Sequence, residues 1–121
     1  MAFQDLIGQT LSKIENMDDK IIFESVEGKR WMMWHKEDCC ERVTVEDIAG
    51  DLDDLIGSPI LEAEEVTSDK NPEGVVMGTQ DYSFTWTFYK LGTIKGRVTI
   101  RWYGESNGYY SESVDFEEMS R

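Results

Sequence analysis

Three segments in the second half of the chain alternate between apolar and polar residues, which is the pattern of a half-buried β-strand. They cover residues 83–89, 97–103 and 110–116, and short Gly-containing connections separate them. Such spacing predicts three antiparallel strands joined in order. The alternate apolar residues are expected to face the core: Phe84, Trp86, Phe88, Val98, Ile100, Trp102, Val114 and Phe116.

The first third of the chain contains three shorter β-rich runs, at residues 11–15, 21–26 and 30–35. Turn-forming residues separate these runs, so the sequence predicts strand, turn, strand, turn and strand. Residues 60–66 form a further candidate strand.

One segment, residues 45–56, has the periodicity of a helix. Thr44 with Asp47 three positions later resembles a capping box, and Gly57 supplies a stop. The apolar residues within it recur at helical spacing. We therefore expect an α+β fold, with a single domain over residues 1–121, mainly antiparallel sheet of about five to seven strands, and one substantial helix near residues 45–56. The expected core also includes Ile22, Val43, Ile48, Leu52 and Leu55.

Acidic residues are concentrated in the middle of the chain. Between Glu37 and Glu73, 13 acids and two bases contribute −11 of the formal charge of −13. A block of one sign attracts basic protein surfaces and disfavours the phosphates of nucleic acid and anionic membranes. The apolar runs are too short to span a bilayer, and the first residues lack the features of a secretory signal. We expect a protein of the cytoplasm that binds neither nucleic acid nor membranes directly.

Catalytic and metal-binding motifs are weak in this sequence. Cys39 and Cys40 are adjacent, so they can form only a strained ring disulfide, and we expect them to be reduced, largely buried and free of metal. His35 is the only histidine and stands outside any zinc-ligand spacing. Neither a nucleophile elbow nor a phosphate-binding loop is present. The sequence therefore predicts no enzyme, no metal and no cofactor.

Several long motifs resemble one family. They are WHKEDCCE at residues 34–41, EDIAGDLDDLIGSPI at 46–60, TWTFYK at 85–90 and RWYGESNGYYS at 101–111. Together they resemble a family of small acidic proteins of unknown function encoded by bacterial phages and prophages, and the resemblance covers residues 6–116. It implies a phage accessory protein acting in the cytoplasm of the bacterial host. Small acidic phage proteins often block host proteins, including nucleases of immune systems.

The leading functional hypothesis is an inhibitor that docks its acidic surface on a basic bacterial protein of the kind that binds nucleic acid. On a helix, Asp47, Asp51 and Asp54 would form one carboxylate stripe, as a mimic of DNA requires. A solvated acidic face that keeps the protein soluble explains the same charge. An exposed edge strand would also permit a homodimer. The predicted partner-binding residues are Glu46, Asp47, Asp51, Asp53, Asp54, Glu62, Glu64 and Glu65.

A small-ligand module, such as one for a nucleotide, is the alternative hypothesis. Arginines of the C-terminal sheet would contact the anionic group, and the aromatic residues would stack on the base. Cross-strand aromatic pairs that only stabilise the sheet explain the same residues. The predicted ligand-binding residues are Arg97, Arg101, Trp102, Tyr103 and Tyr109.

Overall fold

The computed structural model describes residues 3–17, 19–36, 41–69, 83–106 and 111–119. Within them the chain forms antiparallel strands and two short 3₁₀ turns, Phe3–Leu6 and Leu52–Leu55. None of the helices in these ranges has the length and apolar character needed to cross a bilayer. The strands are β1 Leu11–Asn16, β2 Lys20–Ser25, β3 Arg30–Trp34, β4 Arg42–Ala49, β5 Glu62–Ser68, β6 Ser83–Thr93, β7 Gly96–Ser106 and β8 Asp115–Glu118.

The strands form two four-stranded sheets. The first sheet has the order β1-β2-β3-β8, and the second has the order β4-β7-β6-β5. The strands predicted near residues 11–15, 21–26, 30–35 and 60–66 are confirmed, as are the two long strands of the β6–β7 hairpin. The third C-terminal run differs from expectation. It yields only the short strand β8, which pairs with β3 of the first sheet.

The two sheets share one hydrophobic core. The indole Nε1 of Trp102, on β7, donates a hydrogen bond to the Sδ of Met33, on β3, over 3.1 Å. The ring of Phe3 lies 4.7 Å from that of Tyr89 and 5.3 Å from that of Phe116, measured between centroids. These contacts join the second sheet to the first, and burial of such large side chains is the main stabilising contribution to a fold of this kind.

The predicted α+β fold with a substantial helix over residues 45–56 is wrong. Within the described residues no helix reaches seven residues. The first five residues of the segment belong to β4, which pairs with β7, and the chain then turns at Gly50 into the 3₁₀ turn Leu52–Leu55. The φ angle of Gly50 is +107°, and a Cβ there would lie 2.7 Å from the carbonyl oxygen of Arg97. Such a close approach requires glycine.

A β-bulge explains why residues 45–56 have the apolar spacing of a helix. Val45 pairs with Trp102 and Asp47 pairs with Arg101, so Glu46 is an extra residue on β4. Because of this insertion, Val45 and Ile48 pack on the same core although they are three positions apart. The 3₁₀ turn then adds Leu52 and Leu55 to the core at the next helix-like intervals. A bulged strand followed by a tight turn therefore reproduces helical spacing.

The two faces of β6 are reversed relative to expectation. Tyr89 and Leu91 belong to the shared core, whereas Phe84, Trp86 and Phe88 alternate with them and lie on the outer face of the second sheet. Trp86 is buried, as predicted, but in a separate outer cluster. The inner face of β6 continues from these core residues into a row of hydroxyls: Thr87, Thr85 and Ser83.

The other predicted core residues divide into three groups. Five are buried as expected: Val43, Leu55, Val98, Ile100 and Trp102. Four are partly buried and pack against the core: Ile48, Leu52, Val114 and Phe116. Ile22 is half-buried and pairs with Met32, away from the core-facing Ile21 and Phe23.

Candidate functional site

The bulge on β4 brings two predicted partner-binding acids against an arginine. The Nε and Nη2 of Arg101 donate hydrogen bonds to Oε2 of Glu46 over 2.8 and 2.6 Å. The Oδ2 of Asp47 lies 3.8 Å from the same Nη2. Arg101 therefore offsets one of the two negative charges, mainly that of Glu46, and the carboxylate stripe expected on a helix does not form.

A second group of acids lies beside the hairpin between β6 and β7. Asp51 caps the 3₁₀ turn by accepting a hydrogen bond from the backbone N–H of Asp53 over 2.9 Å. Asp54 lies against the hairpin, because a Cβ on Gly96 would be only 2.8 Å from Oδ2 of Asp54. On the other side of the hairpin, Oε2 of Glu62 lies 3.3 Å from Nε of Arg97. We call this group the hairpin-end acids: Asp51, Asp53, Asp54 and Glu62.

The remaining predicted acids lie on opposite faces of edge strand β5. Glu64 pairs with Lys90 on the outer face of the second sheet, where opposite charges on neighbouring strands attract. Glu65 pairs with Tyr89 and so shares the inner face. Alternation along a strand thus separates two residues that the sequence grouped together.

The predicted ligand-binding residues are also divided between faces. The Arg101 guanidinium lies 5.2 Å from the Trp86 ring centroid, and the ring of Tyr103 packs beside Trp86 at 4.8 Å. Burial and a hydrogen bond to Glu105 raise the pKa of Tyr103 to about 12. Trp102 projects into the core on the other side of the sheet. Arg97 lies on the outer face beside Glu62, and Tyr109 lies outside the described residues.

The inner face of the second sheet ends in a polar cleft of about 340 Å³, which we call the hydroxyl cleft. Residues 111–114 form one wall, and they cross β7 so closely that a Cβ on Gly104 would lie 2.7 Å from the carbonyl oxygen of Glu112. Two carboxylates, Glu65 and Glu112, line the cleft together with Val114. Six hydroxyl residues complete the described lining: Thr67, Ser83, Thr85, Thr87, Ser111 and Ser113.

Both carboxylates of the cleft are held by neutral hydroxyl donors. Glu112 accepts hydrogen bonds from Oγ1 of Thr85 over 2.8 Å and from Oγ of Ser106 over 2.6 Å. Burial, followed by the hydrogen bond to Glu65, raises the pKa of Tyr89 well above its ordinary value, so the phenol stays a donor. These bonds fix the carboxylates without neutralising them.

Sequence reasoning missed this cleft because it assigned the aromatic residues of β6 to the core. A signal was nevertheless present, since Ser83, Thr85 and Thr87 occupy one face and the same face continues into Tyr89 and Leu91. A strand face that changes from apolar to hydroxyl residues marks the place where the core ends.

One wall of the hydroxyl cleft is attached to both sheets through a histidine. Nε2 of His35 lies 2.9 Å from Oε1 of Glu41, and Nδ1 lies 2.7 Å from the carbonyl oxygen of Ser113. Both ring nitrogens face acceptors, which favours the doubly protonated imidazolium. Since neither nitrogen is available to a substrate, the geometry is that of a structural contact. The described residues contain no group of three His, Cys, Asp or Glu side chains placed to hold a metal ion.

The comparisons with known proteins give one match. The profile of a family described as "Domain of unknown function (DUF7448)" matches residues 4–116. Neither a curated protein nor a solved structure matches the chain. Because the family description names no substrate or partner, function has to be inferred from the geometry above.

Proposed function

Because the chain belongs to the DUF7448 family, whose description assigns no activity, we propose a role from charge and geometry. The protein is a non-enzymatic accessory protein of phage type that acts in the bacterial cytoplasm. It binds and inhibits a host protein with a basic surface, of the kind that binds nucleic acid or belongs to an immune system. The docking surface is the group of hairpin-end acids.

The observation that supports this proposal is the concentration of carboxylates in the turn after β4. Asp51, Asp53 and Asp54 lie within four residues, and Asp51 and Asp53 are exposed. Side-chain hydrogen bonds to the backbone fix the turn, because Thr93 Oγ1 donates to the carbonyl oxygen of Asp54 and the Asp51 carboxylate accepts from the N–H of Asp53. A fixed array of like charges presents a stronger local field to a basic partner than the same charges on flexible side chains.

Acids elsewhere on the second sheet are less suited to the same role. Glu46 accepts two hydrogen bonds from Arg101, and Glu64 pairs across the strands with Lys90. Glu65 faces the hydroxyl cleft. The bases next to Glu46 and Glu64 weaken the field of these acids at the distance of a partner, whereas among the hairpin-end acids only Glu62 forms a salt bridge within the described residues, with the exposed Arg97. The hairpin-end acids are therefore the part of the acidic block that we expect to contact the partner.

Affinity capture from bacterial lysate tests the proposal. The wild-type protein should retain basic host proteins at low salt and release them at high salt or on addition of duplex DNA, which competes for the same surface. The triple variant Asp51→Asn, Asp53→Asn, Asp54→Asn should retain them about tenfold less well, mainly through slower association. Asn at position 51 keeps an N-cap acceptor, so the turn should still form.

A matched control removes three charges from the first sheet instead. The variant Asp115→Asn, Glu117→Gln, Glu118→Gln has the same net charge as the hairpin-end variant, but its changes lie on β8. It should retain the partner like the wild type. Equal loss in both variants would show that only net charge matters, and unchanged binding in the hairpin-end variant would refute the proposed surface. Far-UV circular dichroism establishes that each variant is folded.

A further inference from the structure

Most of the large apolar side chains that the protein exposes lie at one end of the molecule. Within the described residues five are exposed, and four of these lie around residues 56–61, which connect β1 of the first sheet with β6 of the second. We call these four the hairpin-end apolar residues: Ile7, Val26, Leu61 and Ile94. Single exposed apolar residues are common, but several in one region are typical of an interaction site.

Backbone hydrogen bonds place two of these residues side by side. The N–H of Leu61 donates to the carbonyl oxygen of Gly92, near the end of β6, over 2.8 Å. Gly8, which follows Ile7, donates to the carbonyl oxygen of Ile60, also over 2.8 Å. Ile7 and Leu61 therefore flank the same short stretch of backbone, and each is about half exposed or more, at 49 % and 59 %.

Val26 reaches the same region from the turn between β2 and β3. Its N–H donates to the carbonyl oxygen of Thr10 over 2.9 Å, and Thr10 forms a β-bridge with Pro59. The side chain of Val26 is 64 % exposed. The first sheet thus contributes an exposed apolar residue to the end of the molecule where the second sheet has its long hairpin.

Ile94 is the most exposed member of the group and stands at the tip of that hairpin. Thr93 pairs with Gly96, so Ile94 and Lys95 form a two-residue loop, a place that favours glycine, asparagine and aspartate. Ile94 is 80 % exposed and so contributes little to the core. An apolar residue that opposes the local turn preference without stabilising the fold is expected at a functional surface.

The hairpin tip is held in place by contacts with the turn after β4. Oγ1 of Thr93 donates to the carbonyl oxygen of Asp54, and Nζ of Lys95 donates to that of Ile56 over 2.7 Å. The backbone N–H of Lys95 also donates to Oγ1 of Thr93 over 3.1 Å. A side chain presented on a fixed turn loses less entropy on binding than one on a flexible loop.

The charges at this end define the chemistry of the partner. The hairpin-end acids contribute four carboxylates, while the two bases at the turn are bonded within the chain, Lys95 to Ile56 and Arg97 to Glu62. A second copy of this chain would bring the same acids face to face, and duplex nucleic acid would bring phosphates against them. The complementary partner is a protein segment that carries apolar side chains between lysines or arginines.

We infer that the hairpin-end apolar residues bind the apolar side chains of a basic amphipathic segment of the partner protein, with the hairpin-end acids as the charged rim around them. The inference rests on the proposed function, because it specifies what the proposed docking surface recognises. In such an interface the buried apolar centre sets mainly the dissociation rate, whereas the charged rim sets mainly the association rate. The two contributions can therefore be measured separately.

A synthetic peptide of leucine and lysine, about 14 residues long with the leucines at helical spacing, is the probe. Titrated into the ¹⁵N-labelled protein, it should cause saturable amide shifts around residues 7, 26, 61 and 94, with a dissociation constant of about 0.1 mM or lower. Two matched peptides separate the contributions: one has serine in place of leucine, and the other has glutamate in place of lysine. Each should bind at least about tenfold more weakly, because each lacks half of the recognised chemistry.

Two variants and one control locate the contact by surface plasmon resonance with the leucine–lysine peptide. Ile94→Ser and Leu61→Ser should each weaken binding about fivefold to tenfold through faster dissociation, with association changed by less than about twofold. Both side chains are exposed, so the variants should fold like the wild type. Met17→Ser removes an exposed apolar residue that follows the other end of β1, and it should change the affinity by less than about twofold.

The adverse results separate this inference from the proposed function. If Ile94→Ser and Leu61→Ser bind the peptide like the wild type while the triple variant of the hairpin-end acids binds it weakly, the acidic surface stands and the apolar contact is refuted. The inference also fails if the peptide causes no saturable shifts, if the serine peptide binds as tightly, or if Met17→Ser causes an equal loss. Dimerisation of the wild type that Ile94→Ser abolishes, measured by sedimentation velocity, would assign the apolar residues to a second copy and overturn the proposed occupant.

Discussion

Nε2 of His35 lies 2.9 Å from Oε1 of Glu41, and both side chains are almost fully removed from solvent, at 5 % and 0 % exposed. His35 follows β3 of the first sheet, and Glu41 precedes β4 of the second. The other ring nitrogen bonds to the carbonyl oxygen of Ser113, just before β8. A single imidazolium thus links three segments that are distant in sequence, and removing one partner would leave a buried charge uncompensated.

The protonated form of His35 stabilises the fold, so the free energy of unfolding should fall as the pH rises and the proton is lost. Burial lowers the pKa of His35, but hydrogen bonds to Glu41 and Ser113 and the charges of Glu41 and Asp115 outweigh it, so the net shift is upward from 6.5. The stabilisation is complete below the unfolded-state pKa and is lost as the pH rises through the folded-state pKa. The free energy of unfolding, measured with urea at about pH 5.5 and about pH 8.5, should decrease between these pH values. The decrease should be larger for the wild type than for His35→Gln. Equal pH dependence in both proteins would contradict this assignment.

Gly50 should be far less tolerant of alanine than another glycine with positive φ. Gly50→Ala forces a Cβ to within 2.7 Å of the Arg97 carbonyl oxygen, whereas a Cβ on Gly8, at φ +89°, meets nothing within 4 Å. We expect Gly50→Ala to lower the free energy of unfolding by about 2–4 kcal/mol and Gly8→Ala by about 1 kcal/mol. Denaturant unfolding measures both. Similar losses would mean that backbone strain, rather than the close approach, dominates at position 50.

Substitution of phenylalanine for two buried tryptophans should lower the free energy of unfolding by different amounts. Trp102 donates its Nε1–H to Met33, whereas Nε1 of Trp31 has no hydrogen-bond partner within the described residues. Both substitutions reduce side-chain volume, but only Trp102→Phe also removes a hydrogen bond. Trp102→Phe should therefore cost about 1 kcal/mol more than Trp31→Phe in thermal or urea unfolding. A larger loss for Trp31→Phe would show that the fit of its ring matters more than the unsatisfied donor.

Replacement of Arg101 by lysine should lower the free energy of unfolding. Its guanidinium donates two hydrogen bonds to Glu46 and lies over the Trp86 ring, and its side chain is 22 % exposed. Lysine cannot reproduce the fork, so Arg101→Lys should lower the unfolding free energy by about 1–2 kcal/mol. Arg97→Lys is the control, because the Arg97 side chain is 84 % exposed and its ion pair with Glu62 should contribute less than about 0.5 kcal/mol. Equal losses of unfolding free energy in Arg101→Lys and Arg97→Lys would show that the contact of Arg101 with Glu46 stabilises the fold no more than an exposed ion pair does.

The strands could be predicted from the sequence because alternation and turn residues are local signals. Leu11–Asn16, Lys20–Ser25 and Arg30–Trp34 needed only β-forming residues between turns. A helix was wrongly predicted over residues 45–56 because a bulge at Glu46 changes which residues of β4 share a face. The bulge in turn depends on the pairing of β4 with β7. Nothing within residues 42–56 alone distinguishes that arrangement from a helical stripe.

The candidate sites show the same limit. Sequence identified the acidic block and the arginines, but not that Arg101 would join Glu46 across the sheet. Glu64 and Glu65 are adjacent in sequence, and only the register with β6 shows that they face opposite ways. The inward face of β6 could not be chosen from alternation alone, because Trp86 and Tyr89 are both large and both buried. Long-range pairing decided each of these points.

The pairing of Trp31 with Glu118 has a consequence for how the protein folds as it is synthesised. The β6–β7 hairpin is local and can form as soon as both strands have emerged, since short loops close quickly. The first sheet instead keeps the β3 edge open until residues 115–118 have been synthesised. During that interval the open edge of β3 can pair with a neighbouring nascent chain. Addition of β8 then replaces this edge by a four-residue edge that carries three carboxylates, and a short, charged edge strand is less prone to misassembly.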